Sequence, residues 1–135
     1  MKDDFFIEEV IDMRANEKPI TKIDIITRVE SFDKLKEALN RIGITGMTVS
    51  NVLGCGMQKG YKEYYRGSEV EINLRPKVRV EVVVCEVPVQ KVVDTAMEIL
   101  RTGNIGDGKI FVSELANAYK IRTGESGWAA LQDIE

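Results

Sequence analysis

Hydrophobic and polar residues alternate along several stretches of this chain, and a period of two predicts β-strands. The clearest case is residues 77–84, where every second position is valine. An earlier stretch alternates in the same way, with Ile23 and Ile25 on one face and Asp24 on the other. In chain order, the predicted strands are residues 21–29, 47–53, 77–84 and 109–112, with a short fifth over 119–122.

Two other stretches carry apolar residues at helical spacing. The first is predicted to begin after Ser31, a residue suited to capping a helix, and to end at Gly43. The second follows Pro88, which is favoured in the first turn of a helix, and ends before Gly103. Their apolar faces are Phe32, Leu35, Leu39 and Ile42 in the first helix, and Val89, Val92, Val93, Ala96 and Leu100 in the second.

The elements form two strand–helix–strand halves separated by a long polar stretch. This order predicts an α+β protein of the ferredoxin-like βαββαβ type, an antiparallel sheet with both helices on one face. Apolar side chains also occur on the opposite face, at Ile26, Val52 and Val83, and they predict burial against other subunits. The predicted divisions are an N-terminal extension (1–20) with a short amphipathic helix, one domain (21–125) and a C-terminal tail (126–135).

Composition narrows the possible functions. The chain has 135 residues, enough for one domain, and a net charge of −3, which argues against broad nucleic-acid binding. It contains no histidine, which excludes His-based catalytic triads, His-ligated zinc and imidazole acid–base chemistry. No base–nucleophile pair is visible, so we expect no enzyme. The central strand over residues 77–84 carries valines and charges rather than the exposed aromatics of an RNA-binding sheet.

The two cysteines and the first residues of the chain indicate the cellular compartment of the protein. Cys55 and Cys85 form no C-x-x-C pair; we expect Cys85 to be a buried core thiol and Cys55, between two glycines, to be exposed. The N-terminus is acidic, unlike a signal peptide, and no apolar run is long enough to span a membrane. These features predict a cytoplasmic protein.

A glycine-rich segment lies between the second helix and the fourth strand; we call residues 102–109 the glycine loop. Its Gly103-to-Lys109 spacing matches the G-x-x-x-x-G-K of a P-loop, but Ile110 replaces the magnesium-binding Ser or Thr, and a P-loop joins a strand to a helix in that order. A conventional P-loop is therefore rejected. An anion cradle and a plain helix-to-strand turn both remain open. Lys120 and Arg122, on one side of the predicted fifth strand, are a candidate phosphate clamp.

Six motifs in order and spacing resemble the PII signal-transduction proteins. The resemblance covers about residues 23–125. The motifs are IGITGMTV (42–49), GCGMQKG (54–60), YRGSE (65–69), PKV (76–78), TGNIGDGKIFV (102–112) and IRTGE (121–125).

The resemblance implies a ferredoxin-like homotrimer with three nucleotide sites in the clefts between subunits. It implies a non-enzymatic regulator of nitrogen metabolism that binds ATP or ADP and, with Mg-ATP, 2-oxoglutarate. Residues 56–75 correspond to the T-loop, which docks on targets such as ammonium transporters, nitrogen-assimilation enzymes or their regulators. The implied contact with a membrane is through a transporter partner.

The resemblance also implies residue roles. For the nucleotide, these are Thr48 and Val83 near the adenine, and Gly56, Met57, Gly106, Asp107, Gly108, Lys109, Lys120 and Arg122 around the phosphates. For the effector, Gln58 ligates Mg²⁺, Gly60 allows close approach of the backbone, and Lys77 pairs with a carboxylate of 2-oxoglutarate. The implied target contacts are Tyr65, Arg66 and Gly67, and Ser68 matches a serine that is phosphorylated in some relatives.

The sequence departs from the family pattern at three positions. Val70 stands where many relatives have the tyrosine that is uridylylated, so uridylylation is not expected. Met57 replaces a basic residue and Lys120 an arginine near the phosphates. These two changes leave open a PII-like sensor of another adenine nucleotide or small anion. The target and the role of the extension are not predicted.

Overall fold

The computed structural model describes residues 18–55, 63–65, 68–70 and 74–132. The predicted helix in the N-terminal extension lies outside the described residues. The elements in chain order are β1 (Ile20–Arg28), a 3-10 turn (Val29–Ser31), α1 (Phe32–Arg41), β2 (Thr48–Cys55), β3 (Glu63–Tyr65), β4 (Ser68–Val70), β5 (Leu74–Val84), α2 (Val89–Leu100), β6 (Lys109–Leu115) and a 3-10 helix (Gly127–Leu131).

The main sheet has the strand order β2-β5-β1-β6, and all three neighbouring pairs are antiparallel. The register places Ile25 opposite Val80 on one side and opposite Ile110 on the other. Together with the helix order, this is the predicted ferredoxin-like βαββαβ fold. Between β2 and β5, the backbones of β3 and β4 form a separate two-stranded ladder within the predicted T-loop.

The hydrophobic core lies between one face of the sheet and both helices. The valines of β5 alternate as predicted, with Val78, Val80, Val82 and Val84 buried. Leu35 and Leu39 of α1 and the apolar stripe of α2 pack on the same face. Both helices therefore lie on one side of the sheet, each with its single apolar stripe turned toward the core.

The opposite sheet face carries a lattice of charges. The Lys22 ammonium lies 2.9 Å from a carboxylate oxygen of Glu81, and the Arg79 guanidinium lies 3.2 Å from Asp24 and 3.0 Å from Glu81. The hydrogen bond between Lys22 and Glu81 raises the pKa of Lys22 and lowers that of Glu81. Val83 on this face is 36% exposed in the single chain, so its predicted burial requires another molecule.

Several local predictions are confirmed and others are wrong. Gly43 ends α1 with φ at +96°, a conformation that glycine adopts without strain. Ser31 does not cap α1 with its side chain: it belongs to the preceding 3-10 turn and has helical backbone angles. Val29 lies in that turn rather than in β1. Cys85 is half-buried rather than buried, because it follows the last residue of β5, whereas Cys55 is exposed as predicted.

The predicted fifth strand over residues 119–122 is also wrong. Tyr119 forms an isolated bridge with Ser126, and residues 121–123 make a turn. The turn is closed by the Gly124 amide, which donates to the Lys120 carbonyl at 2.7 Å. Gly124 has φ at +77°, so the chain reverses here instead of extending. Lys120 and Arg122 consequently belong to a turn and not to a strand face.

Candidate functional site

The glycine loop is organised around the Asp107 carboxylate. This group accepts hydrogen bonds from the Thr102 hydroxyl, from the amides of Thr102 and Gly103 at 2.8 and 3.0 Å, and from the Arg28 guanidinium at 2.6 Å. The Thr102 hydroxyl and the Arg28 guanidinium are the largest causes that hold the pKa of Asp107 well below its usual range. Asp107 thus holds the loop in shape as a carboxylate.

Three further contacts fasten the loop to β1 and β5. The Thr27 hydroxyl donates to the Asp107 carbonyl at 2.8 Å, and Arg28 donates to the Ile105 carbonyl at 3.1 Å. The Lys77 ammonium donates to the Gly106 carbonyl at 2.9 Å. The loop carbonyls are therefore turned toward these side chains. Lys77, predicted to bind a carboxylate, is brought directly onto the loop predicted to bind phosphate.

Glycine is required at one position of this loop by space as well as by conformation. Gly108 has φ at +107°, and a Cβ atom there would lie 1.8 Å from the Ile26 carbonyl oxygen. No other residue permits this approach to β1. The close packing sets the start of β6, where the exposed Lys109 pairs with Ile26 in the sheet.

A cleft of about 520 Å³ lies at the other end of β5, and we call it the Thr48 cleft. It contains both residues predicted to lie near an adenine, Thr48 and Val83. Thr48 is paired with Glu81 in the sheet, and Val83 follows two positions later on the same face. The loop between α1 and β2 forms a second wall, and the C-terminal residues Ala130, Leu131 and Gln132 form a third.

The two residues of the predicted phosphate clamp, Lys120 and Arg122, lie near the C-terminal tail and in a turn. The Lys120 ammonium donates to the Gln132 carbonyl, so this lysine contacts the C-terminal tail. Arg122 is exposed in the turn that replaces the predicted strand. The predicted nucleotide sites lie between subunits, so a single chain does not complete this clamp.

The remaining predicted site residues lie in the predicted T-loop. Gly56, Met57, Gln58, Gly60, Arg66 and Gly67 lie outside the described residues. Tyr65 and Ser68 are described by their backbones, which pair with each other at the end of the β3–β4 ladder. Within the described part of the chain, no cluster of three or more His, Cys, Asp or Glu residues could hold a metal ion. The predicted magnesium ligand, Gln58, is not among those residues.

Sequence reasoning missed the residues that anchor these features. Thr27, Arg28 and Thr102 hold the glycine loop, and Glu86 accepts a hydrogen bond from the Trp128 indole at 2.8 Å. Arg28 and Asp107 are 79 positions apart, so no local pattern joins them.

Among the described helices, none is long and apolar enough to cross a membrane.

Comparison with known proteins identifies the family of this chain. The family model "Nitrogen regulatory protein P-II" matches residues 20–125. A nitrogen regulatory PII-like protein of Bacillus subtilis is 51% identical over 110 residues, which cover 82% of this chain and 95% of the relative. The nitrogen regulatory protein P-II of Klebsiella oxytoca is 49% identical over 110 residues, covering 82% of this chain and 98% of the relative.

Solved structures give the same result. B. subtilis GlnK superimposes with a TM-score of 0.72 at 50% identity, covering 84% of this chain and 99% of that one. A B. subtilis GlnK–ATP complex has a TM-score of 0.71 at 45% identity, with coverages of 84% and 96%. Arabidopsis thaliana PII bound to citrate has a TM-score of 0.65 at 37% identity, with coverages of 84% and 92%. From its sequence match and its fold, the chain belongs to the P-II family of nitrogen regulatory proteins.

Proposed function

We propose that this protein is a cytoplasmic, non-enzymatic regulator of nitrogen metabolism that binds ATP or ADP and, with Mg-ATP, 2-oxoglutarate. The observation that carries the proposal is the 2.9 Å hydrogen bond from the Lys77 ammonium to the Gly106 carbonyl. It joins the residue proposed for the effector to the loop proposed for the nucleotide. A signal from one ligand to the other therefore has a direct physical route.

The nucleotide is proposed to extend from the Thr48 cleft to a glycine loop. Thr48 and Val83 contact the base, while Gly106, Gly108 and Lys109 face the phosphates, with Lys120 and Arg122 as further cations. Asp107 shapes the loop from within, since its carboxylate is taken up by Thr102, Gly103 and Arg28. The ATP complex of B. subtilis GlnK, a structure with the same fold at 45% identity, supports nucleotide binding by this fold. The full sites form between the subunits of a homotrimer.

The effector site is proposed to lie where the T-loop leaves the sheet. Gln58 ligates the Mg²⁺ that the keto and carboxylate oxygens of 2-oxoglutarate chelate, and Lys77 pairs with the distal carboxylate. Gly56 and Gly60 let the backbone approach the ligand. The citrate-bound Arabidopsis PII structure supports a site for a small carboxylate in this fold.

The output is proposed to be the conformation of the T-loop. Tyr65, Arg66 and Gly67 contact the target, an ammonium transporter or a nitrogen-assimilation enzyme or regulator, and Ser68 is a candidate modification site. An effector controls the target by binding one T-loop conformation more tightly than another. Contact with a membrane is through a transporter partner.

Two features favour the second candidate, a PII-like sensor with another adenine nucleotide or small anion as its effector. The Lys120 ammonium uses one of its three N–H donors on the Gln132 carbonyl, which leaves fewer for a phosphate, and Met57 supplies no charge. Both features alter the electrostatics at the phosphates.

Calorimetric titration with Mg-ATP, ADP and AMP in turn tests the proposal and separates the two candidates. Mutually exclusive binding of ATP and ADP supports the first candidate. A clear preference for AMP supports the second. A protein that binds none of the three contradicts the first candidate and leaves only the small-anion form of the second.

A further inference from the structure

The C-terminal tail lies beyond the part of the chain that matches the family model, which ends at residue 125. Its described part begins from a closed hairpin, in which the Lys120 amide donates to the Glu125 carbonyl at 2.8 Å. The Gly127 amide then donates to the Ala118 carbonyl at 3.0 Å. Gly127 is buried with φ at +67°, which turns the chain from the hairpin into the 3-10 helix. The tail thus leaves the domain in a defined direction.

Two polar contacts hold this helix against the domain. The Trp128 indole N–H donates to the Glu86 carboxylate at 2.8 Å, and the Lys120 ammonium donates to the Gln132 carbonyl. Glu86 lies two positions after the end of β5, in the segment that lines the Thr48 cleft. The helix is therefore fastened at both of its ends. A charged acceptor or donor takes part in each contact, which makes these the stronger kind of hydrogen bond.

The fastened helix forms a wall of the Thr48 cleft and does not fill it. Ala130, Leu131 and Gln132 line the cleft together with Thr48 and Val83, and about 520 Å³ of space remains with the tail in place. This volume lies in the range of small-molecule sites. A half-buried Leu131 offers an apolar surface of the kind that a flat base packs against.

We infer that the tail is the third wall of the nucleotide-base cleft, and that Trp128 and Glu86 are positioning residues that set how tightly the nucleotide is held. The inference rests on the proposed nucleotide binding. Lys120 contacts the tail and is also proposed to contact the nucleotide. Its ammonium group has three N–H donors and can hold the Gln132 carbonyl and a phosphate oxygen together. A lysine at this position thereby connects the base end of the site to its phosphate end.

The test compares Mg-ATP affinities, measured by calorimetry on the full chain, for the wild type and three variants. Trp128→Phe keeps an aromatic ring but removes the N–H donor, and Glu86→Ala removes the acceptor. Glu98→Ala removes an exposed carboxylate from α2 that is not part of the cleft lining, and serves as the matched control. A thermal unfolding midpoint for each protein establishes that it is folded.

Trp128 also supplies a second measurement, because it is the single tryptophan of the chain. We expect its fluorescence to change as Mg-ATP is added to the wild type. We expect Trp128→Phe and Glu86→Ala to weaken Mg-ATP binding by about twofold to tenfold, the range for the net loss of one hydrogen bond. Glu98→Ala should bind as the wild type does.

Two results would overturn the inference while leaving the proposed function intact. In the first, both variants bind Mg-ATP as tightly as the wild type and the tryptophan emission does not respond. In the second, the variants bind more tightly, which makes the tail an obstruction rather than a wall. If the folded wild type binds no Mg-ATP, the proposed function fails and the inference fails with it.

Discussion

The Arg28 guanidinium lies 2.6 Å from the Asp107 carboxylate, and this ion pair joins the end of β1 to the glycine loop across 79 positions of sequence. Both side chains are about three-quarters buried, at 24% and 23% exposure. The same carboxylate also accepts the Thr102 hydroxyl and two loop amides. One side chain thus fixes both the internal shape of the loop and its position on the sheet.

This relationship predicts an acid-dependent stability. The folded-state pKa of Asp107 lies below the unfolded value of about 3.9, so its carboxylate stabilises the fold above that pH and the stabilisation is lost as the pH falls further. We expect Asp107→Asn to be less stable than the wild type at neutral pH, and to lose less stability on acidification below about pH 4. Urea unfolding at a series of pH values measures this. Glu98→Gln, at an exposed position of α2, is the control and should show the wild-type dependence of stability on pH. If the free energy of unfolding of Asp107→Asn fell with pH as steeply as that of the wild type, the role of Asp107 would be refuted.

Two glycines of the same loop predict contrasting effects of substitution by alanine. Gly103 has φ at +84° and no atom within 4 Å of an added Cβ, so Gly103→Ala should cost roughly 1–2 kcal/mol, the strain of a left-handed alanine. Gly108→Ala adds an overlap with the Ile26 carbonyl, which should raise the cost by about 1–3 kcal/mol. Urea unfolding compares the two variants. Equal costs would mean that the loop does not pack on β1 as described.

Lys77 predicts that the nucleotide and the effector depend on one side chain. Lys77→Met removes the donor to the Gly106 carbonyl, so Mg-ATP binding should weaken by about twofold to tenfold, and 2-oxoglutarate binding should be lost. Lys77→Arg, which keeps the charge, should retain part of both. Calorimetry with each ligand measures these effects, with Lys91→Met on the exposed side of α2 as the control. If Lys77→Met bound Mg-ATP as tightly as the wild type, Lys77 would have no role in nucleotide binding through the glycine loop.

The open sheet face predicts self-association. Val83 and Phe111 are 36% and 51% exposed in the single chain, beside a charge lattice that is already paired internally. Covering these apolar side chains with other copies would remove them from water. Sedimentation equilibrium should give three times the chain mass of 15.2 kDa. A stable monomer at micromolar concentration would contradict the homotrimer, and with it the proposal of shared sites.

The fold could be predicted from the sequence because its signals are local. The alternating valines of β5 and the single apolar stripes of α1 and α2 each lie within about a dozen residues, and each formed the predicted element. The short alternation at residues 119–122 predicted a strand wrongly, because a local signal of this length is weak. Four residues carry little information, and the reversal at Gly124 and Ser126 decided the structure.

The site was predictable in part, through motifs rather than contacts. The motifs identified Asp107 and Lys77. They did not show that Arg28 binds Asp107 or that Lys77 donates to the Gly106 carbonyl. Such partners lie far apart in the sequence and meet because the antiparallel register aligns the ends of β1 and β5. The tail contact between Trp128 and Glu86 is of the same kind, since a lone tryptophan near the C-terminus predicts no particular partner.

The most direct test of the central claim is calorimetric titration of 2-oxoglutarate into the full chain, once with saturating Mg-ATP and once without nucleotide. We expect binding with Mg-ATP and none without it, because the proposed effector site is completed by a Mg²⁺ ion that the nucleotide and Gln58 hold. Gln58→Ala should abolish the binding. Binding of equal strength with and without Mg-ATP, or no binding of 2-oxoglutarate by a protein that does bind Mg-ATP, would contradict a nucleotide-dependent 2-oxoglutarate sensor.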